Sequence, residues 1–223
     1  MQNYDQGGVS IIEMLYSSNL IAVVGSSEDS NLFSSKWLTL WNTNNYTAIC
    51  EISFPSKVQS VKINKFWLVV AVKENIHIYD LNNMKLLTSI DSKNYGVGWL
   101  VLAPNFTSSC FLCYSDSITD GKVSVYDCNE MVSYKPIDAH TTPVLKLAIN
   151  MAGNKLVTAS CKGTVIRVWW LPNGELIHSF HRGIHNTYIH SLNFSVESNY
   201  VICSTAKGSI HVFQMDKDID EDQ

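Results

Sequence analysis

Arginine is nearly absent from this chain: Arg167 and Arg182 are the only two among 223 residues. With a formal net charge of −4, that scarcity excludes the basic stripe needed to track a nucleic-acid backbone, so no nucleic-acid partner is expected. No apolar run reaches the ~18 residues needed to span a bilayer as a helix. The first residues show neither a basic n-region nor an apolar h-region, so no signal peptide is expected. Catalytic motifs are missing too. There is no G-x-S-x-G elbow, no glycine-rich phosphate loop leading into a helix and no H-E-x-x-H. Serine, histidine and aspartate are plentiful, but without a constellation they argue for no chemistry, so the expectation is that the protein is not an enzyme. The six cysteines are scattered, mostly in apolar runs, and in a chain without an export signal they are expected to be reduced and buried. Cys110 and Cys113 form one C-x-x-C, with no second pair and no histidine at ligand spacing. On a strand an offset of three sends the two thiols to opposite faces, so no metal is expected there, and no cofactor is implied elsewhere. Sequons at Asn45, Asn105 and Asn193 are chance matches in a cytosolic chain.

What is present is a core and a lopsided charge distribution. The composition is 46% hydrophobic and 16% charged, enough apolar material for a packed core. Residues 140–215 hold six Lys/Arg against two Asp/Glu, a net of +4, and six of the seven histidines. Residues 1–139 and 216–223 each carry −4. An acidic chain that gathers its cationic donors in one stretch has the makings of an anion site there. Guanidinium suits phosphate because its planar fork donates two parallel hydrogen bonds.

A short β pattern recurs five times: Leu38-Thr39-Leu40-Trp41, Ile76-His77-Ile78-Tyr79, Val123-Ser124-Val125-Tyr126, Ile166-Arg167-Val168-Trp169 and Ile210-His211-Val212-Phe213. Each reads apolar, variable, apolar, aromatic, and the aromatics fall 38, 47, 43 and 44 residues apart. Alternation of β-branched and aromatic residues predicts strands. A period near 40–45 residues is that of four-stranded propeller blades. Turn signals precede several of these strands (Gly121-Lys122, Lys162-Gly163, Lys207-Gly208), and an earlier apolar strand lies upstream of each, at 20–24, 68–72, 110–114, 155–159 and 200–204. No amphipathic helix of useful length is present. The expected fold is therefore all-β, a single propeller domain over 1–217 with blades near 8–55, 56–92, 93–140, 141–186 and 187–217, then an acidic tail at 218–223. The last unit reads as ending after its third strand, which suggests an incomplete ring. Residues 26–35 read as a surface loop.

Phe180-His181-Arg182-Gly183 follows the fourth unit. Before it runs Ala159-Ser160-Cys161-Lys162-Gly163-Thr164-Val165-Ile166-Arg167, and after it Ser204-Thr205-Ala206-Lys207-Gly208-Ser209-Ile210-His211-Val212-Phe213. This resembles the PROPPIN family, WD-repeat-like propellers that bind polyphosphoinositides and act in autophagy. Its hallmark is Phe/Leu-Arg-Arg-Gly between blades, flanked by T-A-S-x-K-G-T-x-I-R and S-S-x-x-G-T-x-H-x-F. Residues 9–16, Leu40-Trp41-Asn42-Thr43 and 76–81 are similar to the family's second and third blades, so the resemblance covers nearly the whole chain.

The resemblance implies seven blades, of which about five are present here without counterparts of the first and last. It also implies two rim sites for phosphatidylinositol 3-phosphate and 3,5-bisphosphate. Carried over, the first site uses His140, Ser160, Lys162, Thr164 and Arg167, with His181 in the first motif position. The second uses Arg182, His185, Ser204, Thr205, Lys207, Ser209 and His211. Serine, threonine and histidine at strand ends would satisfy phosphate oxygens from a rigid scaffold. His181 stands where the family has its first arginine, so the first site is expected to be weaker and more pH-sensitive than the second. Arg167 alternates with Ile166 and Val168, so a solvated strand-face arginine is the bland alternative for it. His211 shares its place in the repeat with His77, which leaves a structural role open beside phosphate contact. Ser160 and Ser204 could serve blade turns alone. Trp41, Trp169 and Phe213 read as core between blades.

The implied function is a phosphoinositide-binding effector, cytoplasmic and peripheral on preautophagosomal, endosomal or vacuolar membranes, in autophagy or endolysosomal trafficking. The alternative is a protein-interaction scaffold with weak or no lipid binding. By resemblance its partners would be lipid-transfer and conjugation-machinery proteins of autophagy, with the loop after Gly25 part of a docking surface.

Overall fold

The alternating apolar runs all become strands. The computed structural model describes residues 8–27, 33–92, 100–104, 109–115 and 117–215, and among them there are twenty strands and no helix. They group into five antiparallel sheets that follow the sequence repeat. The expected surface loop lies partly outside the described residues, and the acidic tail wholly so.

The chain divides into two units, 1–98 and 99–223. In the first, β1 (Val9–Met14), β2 (Leu20–Gly25), β3 (Trp37–Asn42) and β4 (Thr47–Ser53) form one meander. β5 (Ser60–Ile63), β6 (Trp67–Ala71), β7 (Asn75–Asp80) and β8 (Leu86–Asp91) form the next. Ala22, Val24, Leu38 and Leu40 of the first sheet pack on Val61, Leu68, Val70 and Tyr79 of the second. Each such buried branched side chain contributes about 1.5–3 kcal/mol. Across this pair of sheets Lys62 Nζ donates to Glu13 Oε1 at 2.9 Å.

The second unit holds three sheets. β9 (Leu100–Leu102), β10 (Phe111–Ser115) and β11 (Gly121–Asp127) build the third, and the fourth-strand place beside β11 is shared by β12 (Val132–Ser133) and β13 (Ile137–His140). β14 (Val144–Ile149), β15 (Lys155–Ser160), β16 (Val165–Trp170) and β17 (Leu176–His181) form the fourth, and β18 (Ile189–Phe194), β19 (Tyr200–Thr205) and β20 (Ile210–Gln214) the fifth. The upstream strands expected at 20–24, 68–72, 110–114, 155–159 and 200–204 are β2, β6, β10, β15 and β19, each within a residue or so of the predicted span. β15 is buried along its length because it is covered on both faces. Leu156 faces a core shared with Phe111, Cys113, Val123 and Ile137. Val157 and Ala159 face the opposite way, onto Ile189, Leu192, Val201 and Cys203. The fourth strands, by contrast, alternate exposed and half-buried residues.

The repeat aromatic has a structural reason. The ladder between third and fourth strands slips at Leu40/Trp41, Ile78/Tyr79 and Val168/Trp169. A bulge at the aromatic bends the strand and sharpens its twist. Trp169 is core as expected, whereas Trp41 and Phe213 are only half-buried. The cysteines depart from the reading of uniform burial: Cys110, Cys113, Cys128 and Cys203 are buried, but Cys161 is exposed and Cys50 half-buried. Burial pushes the Cys113 thiol far up, so it stays protonated and inert. Gly121 is not a turn residue either. It starts β11, where a side chain would strike the His140 carbonyl.

Candidate functional site

The phosphate-site residues expected from the sequence all lie in the second unit, at the ends of the fourth and fifth sheets and along the third–fourth boundary. Three loops are stitched together there. The first is the β15–β16 turn. Buried Ser160 ends β15, and its carbonyl accepts the Gly163 N–H at 2.9 Å. Gly163 has φ +60°, and a Cβ there would sit 2.1 Å from the Thr187 carbonyl oxygen. That position therefore admits glycine both for its left-handed backbone and for the close approach of the next loop.

The second loop, 182–188, lies against that turn. The Thr187 N–H donates to the Lys162 carbonyl at 3.1 Å, and the Arg182 N–H to the Thr164 carbonyl at 2.9 Å. The Arg182 side chain, half-buried, folds onto main-chain oxygens: Nε donates to Gly163 O at 2.8 Å and Nη2 to His185 O at 2.5 Å. The third loop is the β19–β20 turn. It is tied on by the Ala206 N–H, which donates to the Tyr188 carbonyl at 2.9 Å, and closed by Gly208 at φ +77°.

Within this frame two side-chain clusters are distinct. In the second of the two expected sites, buried Thr205 shares a hydrogen bond with Ser209 (Oγ1···Oγ 2.8 Å), and Ser209 with His211 (Oγ···Nε2 3.0 Å). His211 is held flat on Phe213 (6.2 Å, 7°), Phe213 on Phe180 (5.0 Å) and Phe180 on His178 (5.3 Å). Its repeat counterpart His77 bonds Ser89 on the neighbouring strand instead, so the shared position does not impose a shared role. Ser204 is paired with Ser191 at 2.7 Å, a cross-strand hydroxyl contact within the fifth sheet. Arg182's charge reaches Cys203 of β19: burial raises that thiol's pKa, and Arg182 and then the His211 backbone oppose the rise.

In the first expected site, Arg167 is half-buried rather than solvated, and its Nη1 donates to the Ala139 carbonyl of β13 at 2.5 Å. His140 Nε2 meets Thr158 Oγ1 at 2.9 Å, and Trp169 Nε1 donates to the same hydroxyl at 3.0 Å. Burial, and then the Arg167 charge, hold the His140 pKa down to about 4. His140 is therefore neutral at neutral pH and adds no charge to the site. Lys162 and His181 are exposed and Thr164 half-buried at the loop end of the same sheet, with His181 opposite Val165 in the ladder. His181 is the last residue of β17, and Arg182 opens the loop that follows. Thr158, which carries two of these contacts, was not visible as a site residue. It sits mid-strand in a buried run, and only the fold brings His140 and Trp169 to it. The Ala139, Gly163 and His185 carbonyls leave no sequence signal at all.

Chemically the three loops form an electropositive, donor-rich end. Residues 161–164, 182–188 and 205–209 contain Lys162, Arg182 and Lys207 and no Asp or Glu. Among the described residues no carboxylate pairs with Arg167 or Arg182. A guanidinium has five N–H donors; Arg182 commits two to carbonyls, leaving three for an oxyanion. A separate groove of about 220 Å³ lies on the first sheet, lined by Val23, Gly25, Phe33, Trp37, Trp41 and Glu51 among others.

The PROPPIN family profile matches residues 3–222. Among curated proteins the chain is 36% identical over 230 residues to the autophagy-related protein 18 of Yarrowia lipolytica, covering 94% of this chain and 57% of that one. It is 37% identical to the protein of that name from Dictyostelium discoideum, covering 94% and 55%. The chain thus spans little more than half the length of these relatives. Among solved structures, KlAtg21 in complex with the coiled-coil of AgAtg16 superposes with a TM-score of 0.84 at 28% identity, covering 96% of this chain and 69% of that one. Kluyveromyces lactis Hsv2 superposes with a TM-score of 0.80 at 24% identity, covering 94% and 63%, and speaks for the fold alone. The all-β sheets with their blade-length repeat, the His181-Arg182-Gly183 loop and the profile spanning all but the extreme ends agree: this chain is a β-propeller protein that belongs to the PROPPIN family.

Proposed function

We propose that the protein is a non-catalytic phosphoinositide-binding effector of autophagy or endolysosomal trafficking, peripheral on preautophagosomal, endosomal or vacuolar membranes. Its ligands would be phosphatidylinositol 3-phosphate and 3,5-bisphosphate. The observation that carries this is Arg182. Its guanidinium is anchored by the Gly163 and His185 carbonyls, keeps three donors uncommitted and meets no carboxylate among the described residues. Arg182, with His185, Ser204, Thr205, Lys207, Ser209 and His211, makes the stronger site. The first site, built on Ser160, Lys162, Thr164 and Arg167, is weaker, because His140 is uncharged and His181 replaces an arginine. The test is Arg182→Ala in flotation with vesicles carrying each phosphoinositide. Loss of binding with an unchanged melting curve supports the assignment; full retention removes it.

A second reading is a protein-docking scaffold. The solved complex of KlAtg21 with the AgAtg16 coiled-coil favours it, as does the aromatic groove beside Gly25 on the first sheet. Under this reading Arg182→Ala leaves recruitment of an autophagy partner intact, while Trp37→Ala in the groove weakens it.

A further inference from the structure

In the first four copies of the apolar-variable-apolar-aromatic repeat, both apolar residues are at most 3% exposed; in the fifth, Ile210 is 72% and Val212 60% exposed. The difference lies in what covers them. Leu38 and Leu40 pack with residues of the second sheet, Val123 and Val125 with the fourth, and Ile166 and Val168 with the fifth. Ile210 and Val212 belong to the fifth sheet itself, and among the described residues that face is open. Ile202, opposite Val212 in the ladder, is exposed as well, whereas Val157, opposite Val168, is fully buried. The three strands of this sheet contain no Asp, Glu, Lys or Arg. An end repeat needs a polar outer face to remain in water by itself, and here that face is aliphatic and uncharged.

The first sheet carries the complementary face. Leu147 of β14 and Leu192 of β18 each stand three residues past the point where the register shifts, at Val144 and Ile189, and both are buried in the cores shared with the preceding sheet. Ile12 holds that position in β1, three past Val9 with the same shift, and is 63% exposed. Met14, two residues on, is 54% exposed, and Val23, opposite Ile12, is half-buried. One sheet thus presents side chains that elsewhere are covered by a following sheet, and another presents side chains that elsewhere cover a preceding one.

We propose that the occupant of each open face is a second copy of this chain: the fifth sheet of one copy lays Ile202, Ile210 and Val212 on Ile12, Met14 and Val23 in the first sheet of the other. A second copy fits because the chain already builds this joint from the same strand positions, so one sequence encodes both halves in matching register. The contact continues the sheet-on-sheet packing inside each copy. Its two patches differ, so it is heterologous and either closes into a ring or propagates. Phosphoinositide binding is not required for it.

Sedimentation velocity of the whole chain, from micromolar to submillimolar concentration, tests it with three samples: wild type, Val212→Glu and Ile12→Glu. Wild type is expected to self-associate as concentration rises. Each variant alone is expected to lose self-association by about a hundredfold or more, because the joint would bury an unpaired carboxylate. An equimolar mixture of the two variants is expected to form a 1:1 complex and nothing larger, since each supplies the face that the other has lost. A wild type that stays monomeric throughout overturns the proposal, and shows that something other than a second copy covers the faces. So does self-association that survives either substitution, or variants that fail to complement each other in the mixture. All the substituted side chains are exposed, and a melting curve checks each fold; should a glutamate variant unfold, Val212→Thr and Ile12→Thr carry the same comparison.

Discussion

Two glycines with the same backbone hand should respond very differently to a methyl group. Gly163 (φ +60°) and Gly208 (φ +77°) both sit in left-handed turns of the second unit. For either, alanine costs about 1–2 kcal/mol of backbone strain. At Gly208 nothing lies within 4 Å of the added Cβ, so the cost ends there. At Gly163 the Cβ lands 2.1 Å from the Thr187 carbonyl oxygen and 3.2 Å from Ile189 Cγ1, and the backbone atom is not the free end of a flexible side chain. The 182–188 loop must retreat, which adds about 1–3 kcal/mol of overpacking and loosens the Thr187–Lys162 hydrogen bond, worth about 1 kcal/mol. Gly163→Ala should therefore cost about 3–6 kcal/mol in all, some 2–4 kcal/mol more than Gly208→Ala. Urea titration of both variants, followed by circular dichroism, measures the difference directly. Because the Gly163 carbonyl also anchors Arg182 Nε, Gly163→Ala should weaken vesicle binding while Gly208→Ala leaves it nearly unchanged. Equal destabilisation by the two substitutions would refute the claim that close approach of the 182–188 loop, rather than backbone hand alone, demands glycine at 163.

His140 makes stability fall on acidification. Its folded pKa of about 4 lies below the ordinary 6.5, so its contribution is complete above pH 6.5 and is lost as pH drops towards 4; it amounts to at most about 3 kcal/mol. His140→Gln should flatten the stability–pH curve across that window, read by denaturant midpoints at stepped pH. Arg182→Lys keeps the charge but cannot reach the Gly163 and His185 carbonyls with a planar fork. Vesicle affinity should fall well below wild type, and equal affinity would show that charge alone suffices. Ser209→Ala breaks the Thr205–Ser209–His211 chain and should cost about 1 kcal/mol of stability by thermal melt and weaken binding to phosphoinositide vesicles.

The repeat made the fold legible. Five apolar-variable-apolar-aromatic strands at a blade-length period require sheets, and β3, β7, β11, β16 and β20 are those strands. What the period could not reveal was position-specific geometry. The bulges at Trp41, Tyr79 and Trp169 coincide with the repeat aromatic, but an aromatic in a strand does not by itself announce a bulge. The sharing of one strand place by β12 and β13 depends on a chain reversal that the pattern averages away. Of the candidate site, the motif supplies the side chains Arg182, Thr205, Ser209 and His211, and the structure brings the last three into one hydrogen-bonded chain. The candidate site was illegible where main chain carries it, since the carbonyls of Ala139, Gly163 and His185 belong to no residue type. The electrostatics of His140 were equally hidden, because its burial against Thr158 of β15 and its proximity to Arg167 are products of packing.

The double-sided burial of β15 has a thermodynamic meaning for the second unit. Leu156 and Val157 are adjacent in sequence yet serve two different cores. A strand that belongs to two cores cannot be released from one without exposing the other, so the nearest-neighbour terms of a repeat protein are welded at this point. Damage at one boundary is transmitted to the next, and the third, fourth and fifth sheets share a single fate on unfolding rather than peeling away in turn.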